Sequence, residues 1–172
     1  DIEILKAKNG TKSYIEISKD DIENGMDIVI IGFPKGDEIS KYPKTSRGIV
    51  NSEFGLNNNM DEFILNAISY GGSSGSPVLS NKGQLVGILW GGDVQELRDT
   101  KGETTNVIDD PNISYAVKFN YITKFLKKNN ISYEKTHILK SIFNNFFAGE
   151  TSDIAKTNIP SLRFIECYKK SE

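Results

Sequence analysis

The sequence predicts a mainly β protein, an antiparallel barrel followed by α-helices. Short apolar segments separated by turn residues recur at close spacing up to residue 117. No helical pattern lies between these segments, which favours antiparallel pairing over alternating strands and helices. After residue 117 the apolar residues recur at helical spacing instead. The expected fold is therefore a β-barrel with a C-terminal helical extension.

The individual strands are predicted from alternation and from turn residues. Short strands are expected within residues 2–7 and 14–17, and the apolar run DIVIIGF at residues 27–33 predicts a buried strand. The later strands are predicted at residues 45–54, 62–68, 77–80, 84–90 and 113–117, with a tight turn at 81–83. Residues 55–60 and 91–112 are expected to be loops, the second because it is rich in charge, Thr and Asn.

Two helices are expected after the strands. Tyr121, Ile122, Phe125 and Leu126 fall at helical spacing, and so do the apolar residues of the segment 138–147. The last twenty residues show no clear pattern.

Composition limits the classes of function. The chain has 172 residues, of which 37% are hydrophobic, and this suits one domain with a real core. Its 21 basic and 23 acidic residues give a net charge of −2, so nucleic-acid binding is not expected. The single Cys167 cannot form an internal disulfide, and no apolar run is long enough for a membrane span. The sequence leaves the cellular compartment open.

The stretch GGSSGSPV, which starts at Gly71, is suited to nucleophilic chemistry. A reactive serine needs an exposed hydroxyl on a sharp turn with backbone N–H groups beside it, and glycines allow such a turn. A flexible linker has the same composition, but linkers do not usually join a strand such as EFILNAI to a hairpin such as PVLSNKGQLVGI. A phosphate-binding loop is excluded because the required lysine is missing.

The chain resembles the trypsin-like serine peptidases, most closely the bacterial branch to which the HtrA proteases belong. Residues 72–77 read GSSGSP and match the family's GxSGxP signature. DIEILKA looks like the strand of the catalytic aspartate, and MDIVIIGFPKG looks like the strand and turn that open the second barrel. TSRGIV, QLVGI and ISYAV match the following strands in order, so the resemblance covers roughly residues 1–128.

The resemblance implies a fold and a set of domains. The barrel would be the second Greek-key barrel of a chymotrypsin-like fold, at residues 21–117. Residues 1–20 would end the first barrel, and residues 118–172 would form the helical extension.

The resemblance also implies roles for particular residues. Ser74 would be the nucleophile, and the N–H groups of Gly72 and Ser74 would form the oxyanion hole. Asp1 would be the carboxylate that orients the histidine, although an ordinary exposed terminal residue is the alternative. Ser73 stands where the family commonly has Asn or Asp, so activation by capture of a new N-terminus is not expected.

The catalytic histidine is missing from its expected place, which is upstream of Asp1. The chain's one histidine, His137, follows Ser74 by 63 residues and is expected to be an ordinary helical residue. Three explanations stay open. The chain is a cleaved C-terminal product that stays bound to an N-terminal protease segment carrying the histidine, a partial record of a longer chain, or an inactive relative.

The resemblance places Ile68 at the base of the pocket for the side chain before the cut. Trp90, Gly91, Gly92 and Ile113 would form its walls, and Gly91 and Gly92 would offer a strand edge to an extended substrate. The absence of an acid at the base predicts a preference for a small or medium apolar side chain. The alternative is that Ile68 and Ile113 fill the barrel core.

Three functions are compatible with these observations. The first is a serine endopeptidase that acts on protein or peptide substrates by acylation of Ser74, without a metal or an organic cofactor. The second is a catalytically inactive peptidase fold that binds a partner. The third, an esterase or other acyl transferase, would use the same serine.

Overall fold

The structure is a computed structural model that describes residues 14–35, 42–98, 100–133 and 149–162. Within these ranges the strands are β1 (Asp27–Gly32), β2 (Lys44–Ser52), β3 (Glu62–Asn66), β4 (Pro77–Ser80), β5 (Leu85–Arg98) and β6 (Thr104–Lys118). The helices are α1 (Phe119–Lys128) and α2 (Thr151–Asn158), with 3₁₀ turns at Leu56–Asn58 and Ile159–Ser161.

The strands form a closed antiparallel barrel in the order β1-β2-β3-β6-β5-β4. The barrel closes because β1 pairs with β2 along one edge and with β4 along the other. Consecutive strands are neighbours except at the step from β3 to β4, where β6 and β5 lie between them. The predicted mainly β fold with an antiparallel barrel and C-terminal helices is confirmed.

The barrel interior is filled by apolar side chains from every strand. In β3, Phe63 and Leu65 are fully buried, while the alternate residues Glu62 and Ile64 are partly exposed, as expected for a half-buried strand. Burial of each such large side chain stabilises the fold by roughly 1.5–3 kcal/mol. The other members of this cluster are Ile22, Ile28, Ile30, Val50, Ala67, Val78, Val86, Leu89 and Ala116.

A second apolar cluster covers the outer face of β1 and explains why the sequence of that strand is apolar throughout. Val29 and Ile31 point out of the barrel, where they pack with Leu79 of β4 and Ile154 of α2. Ile15 also packs here. Because β1 is buried on both faces, its residues cannot alternate between apolar and polar.

The two long strands β5 and β6 correct the prediction of a loop at residues 91–112. Their ladder continues beyond the barrel, with Asp93 opposite Asp110 and Arg98 opposite Thr104. The residues of this ribbon lack the apolar alternation of a half-buried strand. Backbone pairing with a partner strand does not need that pattern, so the amino-acid pattern does not predict a strand here.

The remaining differences are at the two ends of the chain. The strand predicted at residues 14–17 is a single parallel bridge between Ile17 and Leu85. The predicted helix around residues 121–126 is confirmed as α1, whereas α2 was not predicted. The strand expected within residues 2–7 and the helix expected at 138–147 lie outside the described residues.

Gly87 gives a test of the packing inside the barrel. A Cβ at this position would lie 2.6 Å from both Cε1 of Phe63 and the carbonyl oxygen of Val117. We expect Gly87→Ala to lower the free energy of unfolding by about 1–3 kcal/mol, because the core must shift to make room. Gly91→Ala is the matched control, since its Cβ would meet nothing within 4 Å. Urea denaturation of both variants measures the difference, and equal stabilities would contradict the packing described.

Candidate active site

The connection from β3 to β4 carries the GSSGSP motif across one end of the barrel. In the closed ring, β6 and β5 lie between β3 and β4 on one side, and this segment contacts both of them. It first contacts β6, where the hydroxyl oxygens of Ser69 and Ser114 are 2.6 Å apart. It then contacts β5, where the N–H of Gly75 donates to the carbonyl of Leu89 at 2.7 Å. The strand order therefore positions the predicted nucleophile beside β5.

The turn itself is held by short-range hydrogen bonds. The N–H of Ser73 donates to the carbonyl of Tyr70 at 2.9 Å, and the N–H of Tyr70 donates to the Ser73 hydroxyl at 3.3 Å. Ser73 is 4% exposed, so this small buried side chain stabilises the turn from within. Gly72 and Gly75 both have φ of +87°, a conformation that costs a residue with a side chain roughly 1–2 kcal/mol.

The β1–β2 connection supports the turn from the other side. The N–H of Lys35 donates to the carbonyl of Gly71 at 2.8 Å, and the Lys35 ammonium lies 5.9 Å from the centre of the Tyr70 ring. Ser76 packs so closely against Gly32 that a Cβ at Gly32 would collide with its hydroxyl. The end of β1 and the turn are therefore one packed unit.

Ser74 is exposed at the tip of this turn, with its hydroxyl directed at β5. The hydroxyl donates to the backbone carbonyl of Trp90 at 3.1 Å. A carbonyl cannot take up the hydroxyl proton, so this contact orients Ser74 without activating it.

The N–H groups around Ser74 fall into two sets. Those of Ser73, Gly75 and Ser76 each donate to a backbone carbonyl. In the described part of the chain, no hydrogen bond uses the N–H of Gly72 or of Ser74. An oxyanion hole requires two such unbonded donors beside the nucleophile. The assignment of Gly72 and Ser74 to this role stays a prediction, and the hydrogen bonding is compatible with it.

One wall of the site is aromatic. Trp90 is 44% exposed and stacks on Tyr115, with ring centres 5.5 Å apart and an interplanar angle of 27°. Burial, and secondly the negative charge of Asp93, raise the pKa of the Tyr115 phenol above its usual value of 10.0. Gly92 is the register partner of Ser114, and a Cβ there would lie 3.3 Å from the carbonyl oxygen of Ile113. Trp90, Gly91, Gly92 and Ile113 thus lie together at the junction of β5 and β6.

Ile68, which is predicted to form the base of the substrate pocket, is much more exposed than the two serines nearby. Its side chain is 53% exposed, whereas Ser69 is 8% exposed and Ser114 is fully buried. The sequence does not indicate the pair Ser69 and Ser114, because its members are 45 residues apart and carry no local motif. The role of Ile68 in substrate binding stays a prediction.

Asp1 and His137 lie outside the described residues, so the positions of the predicted carboxylate and of the chain's one histidine are not defined. Among the residues that the structure does describe, no cluster of three or more His, Cys, Asp or Glu side chains could hold a metal ion. Neither α1 nor α2 has the length and hydropathy that crossing a membrane requires.

A model of the trypsin-like peptidase domain family matches residues 1–88, which is just over half of the 172-residue chain. The chain belongs to the trypsin-like peptidase family. The recognised motif and the barrel therefore have a common explanation in this peptidase domain.

Three solved structures similar to this chain illustrate the extent of the match. The active form of the Rv3671c protease from M. tuberculosis is 14% identical with a TM-score of 0.46, and covers 71% of this chain and 50% of its own. Its inactive form is 18% identical with a TM-score of 0.47, and covers 66% of this chain and 54% of its own. The HtrA-type protease AlgW with a decapeptide is 19% identical to this chain with a TM-score of 0.46, and the match covers 66% of this chain and 32% of AlgW. The chain thus spans between a third and just over half of their length.

Gly72 and Gly75 allow a test of the turn in this peptidase domain. Both share a φ of +87°, but a Cβ at Gly72 would also lie 3.1 Å from the Lys35 nitrogen, while one at Gly75 would meet nothing within 4 Å. We expect Gly75→Ala to cost about 1–2 kcal/mol of stability from backbone strain, and Gly72→Ala to cost more. Chemical denaturation measures both variants. A smaller loss for Gly72→Ala would contradict the contact with Lys35.

The raised pKa of Tyr115 gives a pH test. Because the folded state favours the neutral phenol, its contribution to stability is complete below pH 10.0 and is lost as the pH rises through the raised pKa. We expect Asp93→Asn to lower the pKa of Tyr115, measured by tyrosinate absorbance of the folded protein. Tyr115→Phe identifies the signal by removing it. An unchanged pKa in Asp93→Asn would exclude the effect of the Asp93 charge.

Proposed function

We propose that this chain is the nucleophile-bearing part of a serine endopeptidase that cleaves peptide bonds through acylation of Ser74. The observation that supports this most directly is the exposed Ser74 hydroxyl on a turn where the adjacent N–H groups of Gly72 and Ser74 have no hydrogen-bond partner among the described residues. Membership of the trypsin-like peptidase family supports the same reaction class.

The proposed reaction has two steps. The Ser74 oxygen attacks the peptide carbonyl carbon while its proton passes to a histidine, and the N–H groups of Gly72 and Ser74 stabilise the oxyanion. The histidine then protonates the leaving amine, so that the peptide C–N bond breaks and an acyl-enzyme remains. Water hydrolyses this ester and restores the Ser74 hydroxyl. Asp1 would orient the histidine and stabilise its charged form.

The histidine is proposed to come from an N-terminal protease segment outside this sequence. The surface near Ser74 supports a packed partner, because Ile68 is 53%, Tyr70 41% and Trp90 44% exposed. Apolar side chains grouped in this way are typical of an interface. Once a histidine lies beside Ser74, the hydroxyl would exchange the Trp90 carbonyl for this base.

Peptide substrates are proposed to bind along β5. The pairing of β4 with β5 ends at Ile88, while β6 continues to pair with β5 through Gly91 and Gly92. One edge of β5 therefore lacks a strand neighbour in these ladders from Trp90 onward. An extended substrate could add to this edge as a further strand and present its carbonyl to Ser74.

A catalytically inactive binding module is the second candidate. It is favoured by the hydrogen bond from Ser74 to the Trp90 carbonyl, which leaves the hydroxyl without a base. In this case the same cleft would bind a peptide without cleaving it.

Reaction with a fluorophosphonate probe distinguishes the two candidates. We expect the natural protein, purified with every segment that stays bound, to gain one adduct on Ser74, because the probe reacts with serines that a base activates. Intact mass spectrometry measures the adduct and identifies any bound chain that carries a histidine.

Two variants complete this experiment. Ser74→Ala should abolish both the adduct and peptide cleavage, with a loss in kcat on the order of 10⁶-fold. Ser152→Ala, which removes an exposed serine on α2, should leave the adduct unchanged. A natural protein that stays unmodified with all its segments present would favour the binding module.

A further inference from the structure

Ser69 and Ser114 form a buried pair of hydroxyl groups beside the proposed cleft. Their oxygens are 2.6 Å apart, Ser114 is fully buried and Ser69 is 8% exposed. Ser69 lies on the segment that carries the nucleophile, and Ser114 lies on β6 opposite Gly92. The hydrogen bond between the two serines therefore joins the segment that carries the nucleophile to β6.

One of the two O–H donors in this pair has no acceptor among the described residues. Two hydroxyl groups have two O–H donors, and their mutual bond uses one of them. Among the described residues, neither serine side chain has another hydrogen-bond partner. A buried donor without a partner is destabilising, and a ligand that accepts its hydrogen bond recovers the lost free energy.

Gly92 lies directly beside this pair. A Cβ at Gly92 would point at the Ser69 hydroxyl from 3.8 Å, so the glycine keeps this approach free of a side chain. Gly92 is two residues along β5 from Trp90, whose carbonyl bonds Ser74. At the usual rise of a strand this is about 7 Å. A side chain of three or four atoms that starts near Ser74 could pass Gly92 and meet the hydroxyl pair.

We propose that Ser69 and Ser114 form the floor of the pocket for the substrate side chain before the cut, and that they select a carboxamide side chain, Gln or Asn. This inference rests on the proposed function, because it needs Ser74 to be the nucleophile. It replaces the expectation of an apolar preference, which depended on Ile68.

The chemistry of the floor distinguishes a carboxamide from the other side chains of similar length. A carboxamide has a carbonyl that accepts the unused O–H and an N–H that donates to a hydroxyl oxygen, so both groups are satisfied. An apolar side chain such as Met leaves the O–H unpaired. A Glu carboxylate or a Lys ammonium would lose its hydration against a neutral pair, with no opposite charge to compensate for the loss.

Peptidyl phosphonates test this selectivity, since they form a covalent bond with the nucleophilic serine. The probes differ only at the position before the reactive phosphorus, which carries the side chain of Gln, Met, Glu or Lys. Intact mass spectrometry of the natural protein gives the rate of adduct formation on Ser74 for each probe. We expect the Gln probe to react about tenfold faster than the Met probe, the effect of roughly one hydrogen bond.

Three variants separate selectivity from stability. Ser69→Ala and Ser114→Ala should each bring the ratio of the Gln rate to the Met rate close to one. A purely structural role would lower both rates together and leave this ratio unchanged. Ser80→Ala removes a buried hydroxyl in β4, away from the cleft, and should retain the ratio. If the fully buried Ser114→Ala fails to fold, Ser69→Ala alone decides the outcome.

The outcomes separate this inference from the proposed function. Equal rates for the Gln and Met probes, or a ratio that persists in both cleft variants, overturn the inference alone if Ser74 still reacts with a fluorophosphonate. A Ser74 that reacts with neither class of probe overturns the proposed function and this inference together.

Discussion

The closure of the barrel is the constraint on which the rest of the structure depends. The pairing of β1 with both β2 and β4 closes the ring, and the other ladders place β6 and β5 between β3 and β4 on one side and β2 and β1 on the other. The chain must therefore cross two strands between β3 and β4. That crossing brings Ser69 to Ser114 and Ser74 to Trp90, contacts between residues far apart in the sequence.

Backbone geometry then determines what the crossing segment can do. The positive φ of Gly72 and Gly75 turns the chain sharply, while hydrogen bonds from Ser73, Gly75 and Ser76 fix the turn. Within the described part of the chain, these bonds leave the N–H groups of Gly72 and Ser74 without partners. A turn of this kind can present a hydroxyl and two donors together because its positive φ angles fall on glycines, which adopt them without strain.

The segment between β3 and β4 carries both exposed apolar side chains and a buried hydroxyl group. Ile68 and Tyr70 on the crossing segment and Trp90 on β5 are exposed, whereas the hydroxyls of Ser69 and Ser114 form a buried, neutral, hydrogen-bonded pair. Apolar exposure is what a second protein segment would cover, and an unused buried donor is what a substrate side chain would satisfy. The proposed partner and the proposed selectivity therefore depend on different physical properties of one site.

The sequence by itself determined the barrel strands, helix α1 and the turn with Ser74, because apolar periodicity and glycine placement are local signals. Three features depended on tertiary structure. The ribbon of β5 and β6 forms through backbone pairing, and the pattern of its side chains does not predict a strand. Helix α2 is stabilised by packing of Ile154 against the outer face of β1. The contact between Ser69 and Ser114 exists only because the closed barrel brings residues 45 positions apart within hydrogen-bonding distance.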